Sequence, residues 1–409
     1  MSLYAILVYF FLFFSLAVEI LTEYFNWRKM PESLPPELSG LMGEEEYRKN
    51  KSYNNERARF SVLISIVSTI VLVLFISLRG FPILDDFIRS FGYGEIFTGL
   101  LFYGAILAIM TLLQLPASIY STFFLEARYG LNRTTVKTFV LDKIKGILLT
   151  VLLGGPLAAA ALWFFGAFPA DGWLYAWGFF SVVSFTFGYL APVLFLPLFN
   201  KFEPLKNDEL VRDISLYAEK EKFRLKGIFT MDGSRRSTRL NAFFTGFGNL
   251  KRIVLYDTLV EKLSPQEILS VLAHEMGHYK KKHVIIHQIQ SLIASFLMFF
   301  ILSIFIKDPE LFAVFSMDHI SVYAGFLFFS FLYSPMELVL SVAGNYLSRV
   351  HEYQADRYAA ETTGTSEYLI SALKKLSVNN LSRLVPSSLD VFFHYSHPPL
   401  FSRINALGR

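Results

Sequence analysis

The chain has 409 residues, of which 53% are hydrophobic and 18% charged, with a net charge of +4 at neutral pH and no cysteine. Soluble domains carry about 25% charged residues, so this composition points to a membrane protein, and the small net charge gives no footing for nucleic-acid binding. Without cysteine there are no disulfides, thiolate metal sites or cysteine nucleophiles, and a metal centre must be built from His, Asp and Glu. The first apolar run, 3–21, lacks the basic flank and small-residue cleavage site of a secretion signal, and Glu19 interrupts its end; it reads as a retained span. Further runs long enough to cross about 30 Å of hydrocarbon fall at 60–78, 96–115, 147–165, 173–199, 284–306 and 320–343. The sixth holds His287 and Gln290 and the seventh Glu337. Ionisable groups inside spans face a cavity or a partner, and the same applies to Glu19.

Charge in the loops orients these seven spans. The first loop carries Arg28, Lys29, Arg48, Lys49, Lys51, Arg57 and Arg59, and the third carries Arg128, Arg133, Lys137, Lys143 and Lys145. The fifth is long and ends in Lys280-Lys281-Lys282, whereas the second offers Arg79 and Arg89, the fourth no Lys or Arg, and the sixth only Lys307. Under the positive-inside rule this alternation puts the N-terminus outside and loop five in the cytosol. The chain divides accordingly into five spans (1–200), a soluble segment (201–283), two spans (284–346) and a polar C-terminal segment (347–409).

Within loop five, 208–222 patterns as an amphipathic helix, 229–231 and 252–256 as short strands, and 265–281 as a helix. Ser264-Pro265-Gln266-Glu267 opens that helix with Ser264 as N-cap, Pro265 at the first position and Glu267 closing a capping box. The helix carries His274-Glu275-Met276-Gly277-His278. Histidines at i and i+4 share one face and can reach one Zn²⁺, and the Glu after the first histidine is placed to act as general base. The best candidate for a third ligand is Glu352, on a helix directly following the seventh span, where a solvated Glu/Asp helix face is the alternative reading. His351 is a rival, but it points about 100° away on a helix. Asp356, four residues on, is placed to accept a hydrogen bond from the far nitrogen of a ligand histidine. His283 and His394 are expected as surface or interfacial groups.

His274-Glu275-Met276-Gly277-His278 followed by Glu352-Tyr353-Gln354-Ala355-Asp356 resembles the gluzincin pattern of the integral-membrane CAAX prenyl protease 1 family, the enzymes that mature yeast a-factor and prelamin A. The resemblance runs nearly end to end. It includes Leu115-Pro-Ala-Ser-Ile-Tyr-Ser-Thr-Phe-Phe-Leu-Glu-Ala-Arg-Tyr-Gly-Leu-Asn132, Leu196-Pro-Leu-Phe-Asn-Lys-Phe202 and Asp232-Gly-Ser-Arg-Arg-Ser. Asn241-Ala-Phe-Phe-Thr-Gly246, Lys251-Arg-Ile-Val-Leu-Tyr-Asp-Thr258 and His394-Tyr-Ser-His397-Pro-Pro-Leu-Phe-Ser-Arg403 complete it.

The resemblance implies a mainly α, polytopic fold: seven transmembrane helices enclosing a chamber, and a cytosolic gluzincin-like zinc metalloprotease domain with a small β-sheet. It implies one Zn²⁺ held by His274, His278 and Glu352, with Glu275 as general base. His397 and Arg403 would act as oxyanion donors, and Asn241-Ala242 would lie on a strand that pairs with the substrate backbone. The implied reaction removes the last three residues of a prenylated CAAX protein or peptide at the bilayer. The compact chain and its C-terminal Asn405-Ala-Leu-Gly-Arg409, without an endoplasmic-reticulum retrieval signal, fit a bacterial member in an inner membrane; a eukaryotic one belongs in the endoplasmic reticulum or inner nuclear membrane. Two other readings stand beside this one: a quality-control metalloprotease of membrane proteins with no prenyl requirement, and a non-proteolytic transporter or receptor with a relic zinc motif.

Overall fold

A computed structural model describes residues 2–245 and 251–408; Gly246, the end of one motif block, lies outside them. The helices are α1 (Leu3–Lys29), α2 (Glu44–Ser77), α3 (Gly80–Arg89), α4 (Glu95–Ile119), α5 (Val136–Leu149), α6 (Gly155–Ala167), α7 (Gly172–Leu194) and α8 (Leu196–Phe199). After strand β1 (Phe202–Pro204) come α9 (Asp208–Lys220), β2 (Gly227–Met231), β3 (Ala242–Thr245) and β4 (Arg252–Tyr256). The chain ends with α10 (Asp257–Lys262), α11 (Pro265–Lys280), α12 (His283–Phe305), α13 (Pro309–Val314), α14 (Val322–Thr363), α15 (Glu367–Asn379), α16 (Ser388–His394) and α17 (Leu400–Leu407).

Among the described residues, six continuous helices are long and apolar enough to cross a bilayer: Leu3–Lys29, Glu44–Ser77, Glu95–Glu126, Val136–Ala167, His283–Phe305 and Val322–Thr363. The third and fourth run on through π-helical stretches at Tyr120–Glu126 and Thr150–Gly154. The fifth expected span is realised as α7, a 23-residue helix about 35 Å long at ~1.5 Å per residue. These helices leave Phe10, Leu63, Ile70, Leu74, Val182 and Ile293 exposed, as a lipid-facing surface requires. Where the spans do pack, small residues permit it: a Cβ at Gly325 would collide with the Ile306 carbonyl.

Several spans extend past their expected limits, for local reasons. α2 begins sixteen residues before the apolar run because Glu44, Glu45 and Glu46 sit in its first turn, where acidic groups favour a helix N-terminus, and the Glu46 carboxylate accepts from Gly43 N at 3.1 Å. The largest departure is α14. The seventh span and the helix expected to follow it are a single 42-residue helix, about 63 Å long and twice the depth of the hydrocarbon core. Pro335 lies within it, yet the helix continues.

The soluble segment is a four-stranded sheet in the order β1-β2-β4-β3, with β2 and β4 parallel and the outer strands antiparallel to them. Ile253, Val254 and Leu255 of β4 are buried, as a central strand demands, and β3 forms one edge. α11 lies over this sheet. Its Ile268, Leu272 and Met276 recur every four residues and join Ile253, Leu255 and Leu259 in one core, each burial contributing about 1.5–3 kcal/mol. On the opposite face α11 crosses α14 at Gly277, where an added Cβ would stand 3.0 Å from Ala355 Cα and 3.2 Å from Ala355 O. Backbone-to-backbone approach of this kind needs glycine.

The capping box at the start of α11 forms as its residues predict: Ser264 Oγ accepts from Glu267 N at 3.3 Å and Ser264 N donates to Glu267 Oε2 at 2.7 Å. Glu267 is buried and also accepts from Ser371 Oγ (2.6 Å) and Lys375 Nζ (2.8 Å) of α15. Burial alone would raise its carboxyl pKa, but Lys375, Ser371 and the Ser264 amide outweigh it and hold the group below its ordinary value. A group depressed in this way stabilises the fold above its unfolded value and loses that contribution as pH falls through the folded value. Glu267→Gln is therefore expected to cost about 1–2 kcal/mol at neutral pH. The gap to wild type should close as pH falls below the unfolded carboxyl value of about 4.3, a difference readable in thermal unfolding of detergent-purified protein at pH 7 and in acid.

Candidate active site

Three side chains converge where α11 crosses α14. His274 and His278 lie one turn apart on α11, and their Nε2 atoms are 3.2 Å from each other. Glu352 reaches across from α14, with Oε2 3.5 Å from His274 Nε2 and Oε1 3.2 Å from His278 Nε2. Bonds of about 2.0–2.1 Å to a tetrahedral ion place its ligand atoms about 3.3 Å apart, so one divalent cation fits between the three. A second observation agrees. Glu352 is buried, and its Oε2 makes no hydrogen bond although Arg403 Nη1 stands 3.3 Å away. A buried carboxylate oxygen without a hydrogen bond, next to an imidazole nitrogen, is an unsatisfied group that a bound cation would satisfy. His274, His278 and Glu352 form a cluster whose donor atoms could hold one metal ion.

Around these groups the remaining partners are fixed. Asp356 Oδ1 lies 2.8 Å from His274 Nδ1, so the imidazole proton sits there and Nε2 keeps its lone pair. Arg403, brought in by α17, is also buried; its Nε and Nη2 donate to the two oxygens of Asp356 at 2.8 and 2.6 Å. Burial opposes the Arg403 charge, but Asp356 and Glu352 outweigh it and raise the pKa above its ordinary value. Sequence reading expected Arg403 as an oxyanion donor beside His397; two of its nitrogens are committed to Asp356, and Nη1 is left next to Glu352. His397 is largely exposed, with Nε2 3.4 Å from Glu352 Oε1. The segment bearing it is tied to α14 by Arg349, whose Nη1 donates to Val391 O and Tyr395 O, and by Asn345, which donates to Phe393 O.

Glu275 sits between the two histidines in sequence, partly exposed, and among the described residues it has no hydrogen-bond or ion-pair partner. Asn241 and His397 line one cavity of about 970 Å³ with Arg403, and the same cavity extends along α1 to Glu19. There Ser61 and Ser65 donate to the Glu19 carboxylate at 2.9 and 2.6 Å; the intramembrane acid faces a cavity and has partners. Ala242 begins β3, the edge strand, and Asn241 O accepts from Tyr256 N at 3.0 Å. His394 lines this cavity too, half exposed, and donates to Asp390, which raises its pKa.

The expectation for His283 needs correction. It is not a surface group but is 1% exposed, packed between His278 and the ring of His351. Sequence reading missed it because it lies past the helix end, at i+5 from His278, outside the i+4 register used for ligands. Lys282 at φ +61° turns the chain so that His283 faces back. His351, the rival ligand, has its Nδ1 3.1 Å from His287 Nε2 and is not part of the His274–His278–Glu352 cluster.

Comparison with known proteins shows the family of the chain. Residues 23–201 match the model of the CAAX prenyl protease N-terminal region, described as five membrane helices, and residues 204–409 match peptidase family M48. CAAX prenyl protease 1 of Saccharomyces cerevisiae is 34% identical over 94% of this chain and 90% of its own length. The Arabidopsis thaliana homolog is 35% identical over 93% and 91%, and the Homo sapiens homolog 33% over 93% and 89%. The crystal structure of S. mikatae Ste24p superposes with a TM-score of 0.95 at 33% identity, covering 100% of both chains. The chain belongs to the M48 peptidases of the CAAX prenyl protease 1 type and is a multi-span membrane metalloprotease.

Proposed function

We propose that this protein is a zinc endopeptidase that cleaves prenylated CAAX proteins or peptides beside the modified cysteine and releases the terminal tripeptide. The observation that carries this reading is the His274–His278–Glu352 triangle with its orphaned oxygen; His397 and Arg403, 3.4 and 3.3 Å from the Glu352 carboxylate, line a cavity that runs along α1 to Glu19. An all-His/Glu donor set with an open fourth position is that of a catalytic zinc. Zinc held there supplies Lewis acidity, which acidifies water and polarises a carbonyl. Glu275 takes the proton from the attacking water and returns it to the leaving amine. His397 donates to the oxygen that becomes anionic in the tetrahedral intermediate. Arg403 holds Asp356, and Asp356 holds the His274 tautomer. The outer edge of β3, with Asn241 and Ala242, takes the substrate backbone as an added strand. The basic first, third and fifth loops support a site on the cytosolic side.

Replacing Glu275 by Gln removes the base and keeps the metal ligands. Turnover of a farnesylated CAAX peptide is expected to fall by about 10²- to 10⁴-fold, with one zinc per chain in both proteins by elemental analysis. Unchanged turnover would overturn Glu275 as the base, whereas no cleavage by either protein would favour a transporter or receptor.

Substrate class is tested by cleaving one peptide with and without its farnesyl group. Burying only two methylenes of the isoprenoid gives ~1.6 kcal/mol, so the lipidated peptide is expected to have a kcat/KM more than about tenfold higher. Equal rates would point instead to quality control of membrane proteins.

A further inference from the structure

We infer that His283 and Gln354 are positioning residues that set the tautomer of His278 and so make it a metal ligand; the inference rests on the zinc site proposed above. His278 turns Nε2 toward His274 and Glu352, which leaves Nδ1 to carry its proton if Nε2 is to ligate, because a neutral imidazole has one donor and one acceptor nitrogen. His278 Nδ1 lies 3.0 Å from His283 Nδ1. Only one of those two nitrogens holds a proton. The choice is made one step further out, where His283 Nε2 stands 2.9 Å from Gln354 Oε1. A carbonyl oxygen only accepts, so His283 Nε2 carries the proton and its Nδ1 is left as the acceptor. The proton between the two histidines is then on His278, and His278 Nε2 is free for the metal. Asp356 does the same for His274 through a carboxylate; His278 is served by a neutral relay.

The surroundings hold this relay in place. The His351 ring stacks on His283 with centroids 3.9 Å apart and planes 6° from parallel, which fixes the plane of the imidazole. His283 starts α12, and Gln354 lies two residues past Glu352 on α14, so both spans after the metal helix contribute to the relay. The opposite amide orientation at Gln354 would put protons on His283 Nδ1 and His278 Nε2, and the latter cannot bind a cation. A donor-only side chain at 354 imposes that reversed state, whereas a carboxylate preserves the native one.

The test uses the full-length protein in detergent, stripped of metal, with zinc affinity measured by competition against a chromophoric chelator and thermal unfolding of the metal-free protein as a control. Gln354→Glu should keep close to the wild-type affinity. Gln354→Lys and His283→Phe, which preserves the ring stack without nitrogens, should weaken it by about 10- to 100-fold, as loss of a ligand's outer hydrogen bond does. Gln354 is exposed, so its variants should unfold at the wild-type temperature, and they decide the matter if His283→Phe fails to fold. Equal affinities in all variants, or equal weakening by Glu and Lys at 354, would overturn the relay while leaving the metal site intact. If wild type itself binds no zinc, the metal site fails and the relay with it.

Discussion

The close crossing of α11 and α14 is the constraint from which the rest of this molecule follows. Two histidines on one helix supply only half of a metal site, and the third donor has to arrive from a different element at about 3.3 Å from both. Glycine at 277, against the backbone of Ala355, lets the helix axes approach until Glu352 reaches that position. A side chain at 277 would have to displace backbone atoms, and interiors packed at crystal density do not yield cheaply. Since α14 is one uninterrupted helix from the last span to Thr363, the crossing also couples the depth of the site to the membrane. The donor set cannot be assembled without fixing where it stands relative to the bilayer.

Burying this chemistry has a cost that the structure meets by pairing. Glu352, Asp356 and Arg403 are all buried, and isolated charges there would be strongly unfavourable. Asp356 takes a bidentate Arg403 and the His274 imidazole, so both of its oxygens are satisfied. Glu352 keeps one oxygen without a hydrogen bond, and that oxygen lies 3.5 Å from His274 Nε2. Removing one partner from such a network leaves a buried charge uncompensated. The site and the packing of the C-terminal segment are therefore one structure: α17 delivers Arg403, and Arg403 fixes the carboxylate that orients a ligand.

Much of this was legible in the sequence, and what was not has identifiable causes. Spans announce themselves because about twenty apolar residues in a row have few other uses; their ends do not, because α2 and α14 continue as helices once outside the hydrocarbon, where capping and charge replace hydropathy as the signal. The capping box at Ser264 and the i, i+4 histidines are local patterns that spacing can show, whereas the i+4 step from Glu352 to Asp356 equally fits a solvated helix face and needed the family resemblance to be read as part of a site. β1 and β3 were too short to stand out, and β3 entered only through family resemblance at Asn241-Ala242. The second partner of His278 was hidden for a different reason. His283 lies beyond a left-handed turn at Lys282 and meets Gln354, 71 residues away in sequence, and no periodicity carries that information. The two nitrogens Arg403 commits to Asp356 were likewise invisible, since a role transferred from a motif does not say where a guanidinium is tied.

X-ray absorption at the zinc edge on the purified full-length protein bears most directly on the claim that the α11–α14 crossing builds a metal centre. The account predicts a four-coordinate spectrum with two imidazole nitrogens and oxygen ligands at about 2.0–2.1 Å, reduced in coordination and occupancy when Glu352 is replaced by Ala. A spectrum unaffected by loss of Glu352, or one with more than two imidazoles, would contradict it and move the ligand set toward the His283–His351 cluster.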